Sequence, residues 1–150
     1  MNNAAMIAAG AVACLSLSAV GSAIGTGLAA SSAVGSWKKC YAANRPAPFT
    51  LLTFVGLPLS QTLYGMILMF VMIAKSAIAG AGVPMLLLGV FSGLGIALSA
   101  MFQGRAAAAA CDAQAETGQG LANYVIALGV VETVSIFVMV FTIIALGKIA

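Results

Sequence analysis

Glu132 stands alone in residues 117–147, with fifteen uncharged residues on either side. A carboxylate in such surroundings carries a proton or binds a cation, because an acid at the centre of a membrane span costs roughly 2.5–3.5 kcal/mol and needs a reason to be there. Gln61 lies midway along another uncharged stretch, 46–74, with Ser60 beside it and Tyr64 one turn on. Gln103 falls at the end of a third, 76–104. Each is a deep polar group that must find a partner. Ser60 and Tyr64 are four residues apart and share a helix face. Pro58 has no N–H, so a helix through it leaves the Phe54 carbonyl short of a bond, and the disturbed turn can aim the Leu57 carbonyl at a ligand.

One carboxylate (Glu132), two amide oxygens (Gln61, Gln103), a hydroxyl (Ser60) and a carbonyl (Leu57) would make an oxygen-only shell with a single negative charge. That suits a hard monovalent cation, whereas Ca²⁺ usually recruits more carboxylates. A proton needs only the acid and one hydrogen-bond partner. The surplus of oxygens favours Na⁺, and H⁺ stays open as the alternative. No organic cofactor is expected. Gly25-Thr26-Gly27 and Gly93-Leu94-Gly95 have no preceding strand and no following Lys, so they do not read as a nucleotide loop. Cys14, Cys40 and Cys111 fit no metal spacing and no disulfide framework.

The elements that position these groups follow from composition. The chain has 150 residues, 63% hydrophobic and 6% charged, with six Lys or Arg, three Asp or Glu and no His. A typical soluble domain is roughly 25% charged. Chemistry by a catalytic His and nucleic-acid binding through a basic face are set aside. The first thirty-seven residues carry no charge either. A hydrocarbon core of about 30 Å needs about 20 helical residues, and four stretches are long enough. Spans are predicted at 5–35, 49–74, 83–110 and 119–147, an all-α membrane protein, since the alternation of a lipid-exposed barrel is absent. The first and third overrun the hydrocarbon, so their ends should project. Positive-inside reading places loops 36–48 and 111–118 in the cytoplasm and both termini outside. Trp37 and Tyr41 read as an interface belt, Asp112 and Glu116 as facing water, and Arg105 as a snorkelling or loop-contacting charge.

The halves 1–76 and 77–150 read as a duplicated hairpin. Gly21, Gly25, Gly27, Ala29 and Ser31 match Gly89, Gly93, Gly95, Ala97 and Ser99 at an offset of 68, and Gln61-Thr62 then faces Glu132-Thr133 at 71. One copy carries an amide where the other carries an acid. The first and third spans hold small residues on more than one face: Gly21, Gly25, Ala29 and Ala33 beside Gly10, Cys14, Ser18 and Ser22 in the first. Small faces permit close helix approach in lipid, and two of them per helix suggest an inner layer gripped from both sides, as in a homo-oligomeric ring. The bulky second and fourth spans (Leu51, Leu52, Phe54, Leu63, Phe70, then Val134, Phe137, Phe141) read as an outer, lipid-facing layer.

In four segments the sequence resembles a known family: Gly21-Ser-Ala-Ile-Gly-Thr-Gly27, Leu57-Pro-Leu-Ser-Gln-Thr-Leu-Tyr64, Phe102-Gln-Gly104 and Val131-Glu-Thr133. It is similar over essentially its whole length to the proteolipid, or rotor-ring, subunits (subunit K) of V-type and archaeal-type (A/V-type) ATPases of the sodium-translocating bacterial kind. The resemblance implies that Glu132 is the ion-carrying carboxylate, that Gln61, Gln103 and Ser60 supply side-chain oxygens and Leu57 its carbonyl, and that Tyr64 hydrogen-bonds Glu132. The sodium pattern of the family has Thr where this chain has Ser60. It further implies identical subunits in a ring, a stator membrane subunit with an essential Arg, a central-stalk subunit at the cytoplasmic loops, and membrane lipid filling the ring. ATP chemistry would belong to other subunits. A small four-helix cation exporter using Glu132 is the rival from another class.

Overall fold

The computed structural model describes residues 2–149. Its helices are α1 (Asn3–Ala42), α2 (Leu51–Gly56), α3 (Ser60–Ala74), α4 (Gly82–Thr117) and α5 (Leu121–Leu146), with a 3-10 turn, Leu57–Leu59, joining α2 to α3. Among the described residues there is no strand. Four segments are long and apolar enough to cross a membrane: α1, the continuous run Leu51–Ala74, α4 and α5. The chain is thus an all-α bundle of the multi-pass type.

The predicted boundaries of the first and third spans are too short. α1 runs to Ala42 and α4 to Thr117, so loops 36–48 and 111–118 are largely helix. Hydropathy registers where charge begins, but nothing in Trp37–Ala42 or Cys111–Thr117 breaks a helix. At 1.5 Å per residue α1 is roughly 60 Å long, twice the thickness of the hydrocarbon. The real stops are chemical. α1 ends ahead of Asn44, in the left-handed region at φ 51, and Pro46. α4 ends on Gly118 at φ 67, whose N–H bonds the Gln114 carbonyl. Gly120, at φ 92, opens α5 after a very short link.

The projecting ends of α1 and α4 are tied together. Lys39 Nζ lies 2.8 Å from Asp112 and 3.6 Å from Glu116, with all three side chains about half exposed. Asp112 and Glu116 therefore do face water, but as partners of Lys39, in pairs of a kind worth about 1 kcal/mol or less. Trp37 Nε1 donates to the Pro48 carbonyl at 2.8 Å, clasping the first connection, while Tyr41 is exposed. At the other end Asn3 accepts from the Gly82 N–H and donates to the Ile78 carbonyl, both at 2.7 Å.

α1 and α4 run parallel in contact along most of their length. A Cβ on Gly10 would lie 2.5 Å from the Met85 carbonyl oxygen, and one on Gly104 would collide with the backbone of Gly25. Only glycine permits that approach. α3 leans on the neighbouring face of α1, where a Cβ on Gly65 would meet Ser18 Oγ at 2.5 Å. Both small faces of α1 are therefore consumed within one chain, by α4 and by α3. The inference from two small faces to a ring fails on that ground, because the bundle itself fills both. A separate row on α1, Ala23, Gly27, Ser31 and Gly35, stays exposed, and nothing lies within 4 Å of a Cβ built on Gly27 or Gly35.

The assignment of bulky residues also needs correction. Leu51 and Phe54 are fully buried, packed with Ala29, Ala33, Ala107 and Leu128 at the connection end of the bundle. Their short helix precedes the 3-10 turn and lies in the gap that the small residues of α1 and α4 leave. Leu63, Phe70, Phe137 and Phe141 are exposed as expected. A second cluster, Ile7, Met72, Met85 and Leu146, closes the terminal end.

Candidate ion-binding site

The 3-10 turn at Leu57–Leu59 is the local consequence of Pro58. Without its N–H the α-helical ladder is interrupted, the turn tightens, and the Ser60 N–H bonds the Leu57 carbonyl. Ser60 Oγ donates to the same carbonyl at 3.0 Å. The Leu57 oxygen expected to be free for a ligand is thus already the acceptor of two bonds from Ser60. The hydroxyl three residues on, like the Ser60 N–H, thus occupies the Leu57 carbonyl and not the Phe54 carbonyl that Pro58 leaves short.

From this turn α3 carries Gln61 and Tyr64 to the junction with α4 and α5. Tyr64 Oη donates to Glu132 Oε1 at 2.6 Å. Gln103 Nε2 donates to Glu132 Oε2 at 3.2 Å and to the Leu128 carbonyl at 3.1 Å. Gln61 Nε2 donates to Gln103 Oε1 at 2.7 Å, and Ser60 Oγ stands 3.3 Å from Gln61 Oε1. Gln61 and Gln103 are fully buried, and Glu132 and Tyr64 are half-buried. All six residues singled out in the sequence meet in one polar network that spans three elements distant in sequence.

Gln103 comes to the level of Glu132 rather than towards the end of its helix, because α4 continues fourteen residues beyond it to Thr117. Layers of apolar side chains bracket the network. Phe54, Leu128 and Tyr124 lie on one side, and Leu68, Ile96 and Cys14, with Val138 against them, on the other. In that setting each hydrogen bond to the carboxylate matters more than it would in water, and an unpaired charge would be costly.

Sequence reasoning missed two serines. Ser99 Oγ donates to the Val131 carbonyl at 3.1 Å and lies 3.4 Å from Ser135 Oγ, while Ser135 Oγ donates to the carbonyl of Glu132 itself at 2.7 Å. Both are buried. They pin α5 to α4 one turn from the carboxylate and fix its backbone. The signal was present, since Ser99 precedes Gln103 by one turn and Ser135 follows Glu132 by three residues, but serine is common in these helices.

The donor set is hard and carries one charge. Among the described residues no three His, Cys, Asp or Glu side chains come together. Oxygen ligands with a single carboxylate fit a monovalent cation as cargo better than a divalent one. The amides are turned differently from what direct coordination asks: Gln103 presents Nε2, a donor, to Glu132, and its oxygen to Gln61. No protein-family model and no curated protein matches this chain.

Proposed function

We propose that this chain is the ion-carrying subunit of a rotating membrane ring in an A/V-type rotary ATPase, and that Glu132 carries Na⁺ across the membrane. The observation that carries the reading is the lone mid-span carboxylate held by Tyr64 and Gln103, with Gln61 and Ser60 as neighbours. A charge at that depth has no place in a purely structural bundle. The reading draws its specificity from the resemblance of the Leu57–Tyr64, Phe102–Gly104 and Val131–Thr133 segments to the rotor-ring family.

The proposed cycle follows from electrostatics. Away from the stator, ionised Glu132 and Na⁺ make a neutral pair, so the site can face lipid at little cost. At the stator a fixed positive charge, supplied by an Arg of another subunit, competes for the carboxylate and the ion leaves. Rotation returns the emptied carboxylate to the opposite side. The membrane potential contributes about 2.3 kcal/mol per charge per 100 mV. Loops 36–48 and 111–118 face the cytoplasm in this reading, where a central-stalk subunit would engage them, and both termini lie outside.

The second reading is H⁺ in place of Na⁺, favoured by the orientation of Gln103, whose N–H rather than oxygen meets the acid. A hydrophobic carbodiimide separates the two, since it reacts with the protonated acid and bound Na⁺ excludes the proton. Labelling of Glu132, followed by mass spectrometry, should slow as Na⁺ is raised to tens of millimolar at fixed pH. A rate that responds to acidification and ignores Na⁺ would make the cargo a proton.

A further inference from the structure

Around Glu132 the backbone carbonyls of α5 accept hydrogen bonds from side chains to an unusual extent. Leu128 accepts from Gln103 Nε2 at 3.1 Å, Val130 from Thr133 Oγ1 at 2.7 Å, Val131 from Ser99 Oγ at 3.1 Å and Glu132 from Ser135 Oγ at 2.7 Å. Two of these donors, Ser99 and Gln103, stand one turn apart on the same face of α4. α4 therefore holds the backbone of α5 at two points in the turn that leads into Glu132. Gln103 also touches the carboxylate, whereas Ser99 touches backbone. Its one hydroxyl proton goes to the Val131 carbonyl, a nearer acceptor than Ser135 Oγ at 3.4 Å.

α5 needs such a hold. Of its 26 residues only Leu128, Ser135, Thr142 and Leu146 are buried, the first three spaced seven apart. One narrow seam meets the bundle, and a narrow seam restrains rotation about the helix axis weakly. The link from α4 restrains it no better, because Gly118 and Gly120 both sit in the left-handed region, which glycine enters and leaves at little cost. Rotation matters because Tyr64 on α3 and Gln103 on α4 reach the carboxylate from two different helices. A turn of about 20° carries a group about 5 Å from the axis through about 2 Å. The 2.6 Å bond from Tyr64 does not survive a shift of that size.

We infer that Ser99 is a positioning residue: by holding the Val131 carbonyl it fixes the rotation of α5 at which Glu132 meets Tyr64 and Gln103 together, and it thereby sets how tightly the cation is held. The placement of Glu132 stands on the geometry alone, while the effect on the cation rests on Glu132 being the ion carrier.

Solid-state nuclear magnetic resonance of the protein in liposomes tests the placement. With ¹³C at Tyr Cζ and Glu Cδ, wild type should give a through-space cross-peak between Tyr64 and Glu132. S99A should lose most of it with helix content unchanged, since alanine is the better helix former. A wild type without the cross-peak, or S99A with the full one, would overturn the role of Ser99. These spectra need no Na⁺, so they decide the placement even where Na⁺ fails to protect wild type and the cargo is a proton. Sodium protection of Glu132 against the carbodiimide tests the effect on the ion. S99A should need about fivefold more Na⁺ for half-protection, the equivalent of one ordinary hydrogen bond. In a Tyr64→Phe background the same change should cost about twofold or less, because the bond that Ser99 places is already gone. A serine that merely stabilised the bundle would cost the same in both backgrounds. Equal losses in the two, or no loss in S99A, would overturn the link from Ser99 to the ion.

Discussion

Removing the Tyr64 hydroxyl tests the site with the least disturbance elsewhere. The 2.6 Å contact to Oε1 is the shorter of two side-chain bonds on the Glu132 carboxylate, the other being Gln103 at 3.2 Å. A hydrogen bond to a charged group is worth about 1.5–3 kcal/mol. It contributes to ion affinity only as far as it is made while the ion is held and lost when the carboxylate is released to the stator or protonated. Gln103 remains as a donor in Tyr64→Phe, and Tyr64 is half-buried, so water recovers part of the loss. The lower end of the range is therefore the fair expectation, and 1.4 kcal/mol is tenfold in affinity. Purified Tyr64→Phe protein should bind ²²Na⁺ about tenfold more weakly at equilibrium, with helix content unchanged by circular dichroism. The phenyl ring keeps its packing against the Cys14, Leu68 and Ile96 cluster, so instability is not the expected cause. Unchanged affinity would mean that the bond is made equally in both states, and Tyr64 would then be an ordinary buried aromatic.

Glu132→Gln should abolish ²²Na⁺ uptake into vesicles while the protein still assembles. Its amide oxygen can still accept from Tyr64, and a joint turn of the Gln103 and Gln61 amides avoids setting two N–H groups against each other. Uptake that survives would place the carrier on another residue. Gly25→Leu should unfold the single chain, because a Cβ there meets the Ala100 carbonyl and, at 3.1 Å, Pro58; loss of helix content in detergent reads it. Gly27→Leu, at a position open for 4 Å around, should keep the fold of the chain and reduce the size of the complex on a native gel. An unchanged complex would show that the exposed small row of α1 does not meet a neighbouring copy.

What the sequence made legible is what charge and hydropathy encode directly. Long uncharged runs located the four crossings, and the isolation of Glu132, Gln61 and Gln103 located the polar network. Pro58 marked the one break in a helix, and a 3-10 turn occurs there. Helix ends were missed because a helix that leaves the hydrocarbon loses its hydropathy signal without losing its backbone bonds, and only the backbone at Asn44 and Gly118 ends it. The error in Gln103's depth is the same error, since it was measured against a boundary that α4 overruns. The small faces of α1 were read correctly as contact surfaces and assigned to the wrong partner. Residue size tells that something packs closely, but Gly65 on α3 and Gly89 on α4 are indistinguishable from a neighbouring chain until the register is known. Ser99 and Ser135 carry no sequence mark that separates them from other serines.

The two glutamines act as one unit, and this bears on the choice of ion. Gln61 Nε2 and Gln103 Oε1 share a buried bond of 2.7 Å. Turning Gln103 alone, so that its oxygen faces Glu132, would set Nε2 against Nε2, which a buried pair does not tolerate. Both amides must turn together, and Gln61 then presents N–H to Ser60, whose hydroxyl can accept because hydroxyls do both. In that arrangement the Gln61 oxygen is occupied by Gln103. A shell that uses both amide oxygens must therefore share the Gln61 oxygen between Gln103 and the ion, or break the amide–amide bond. Where the bond breaks, a cation bound by all of Glu132, Gln61, Gln103 and Ser60 must outweigh the loss of one buried neutral hydrogen bond, about 1 kcal/mol. Turning the pair intact keeps the amide–amide bond and delivers one amide oxygen beside the carboxylate, but gives up the bonds of Gln103 Nε2 to Glu132 and to the Leu128 carbonyl. A proton asks for neither change. The orientation of Gln103 is thus the point on which the sodium and proton readings part, and whether its oxygen or its nitrogen faces Glu132 is what an ion-dependent spectroscopic probe of the amide would read.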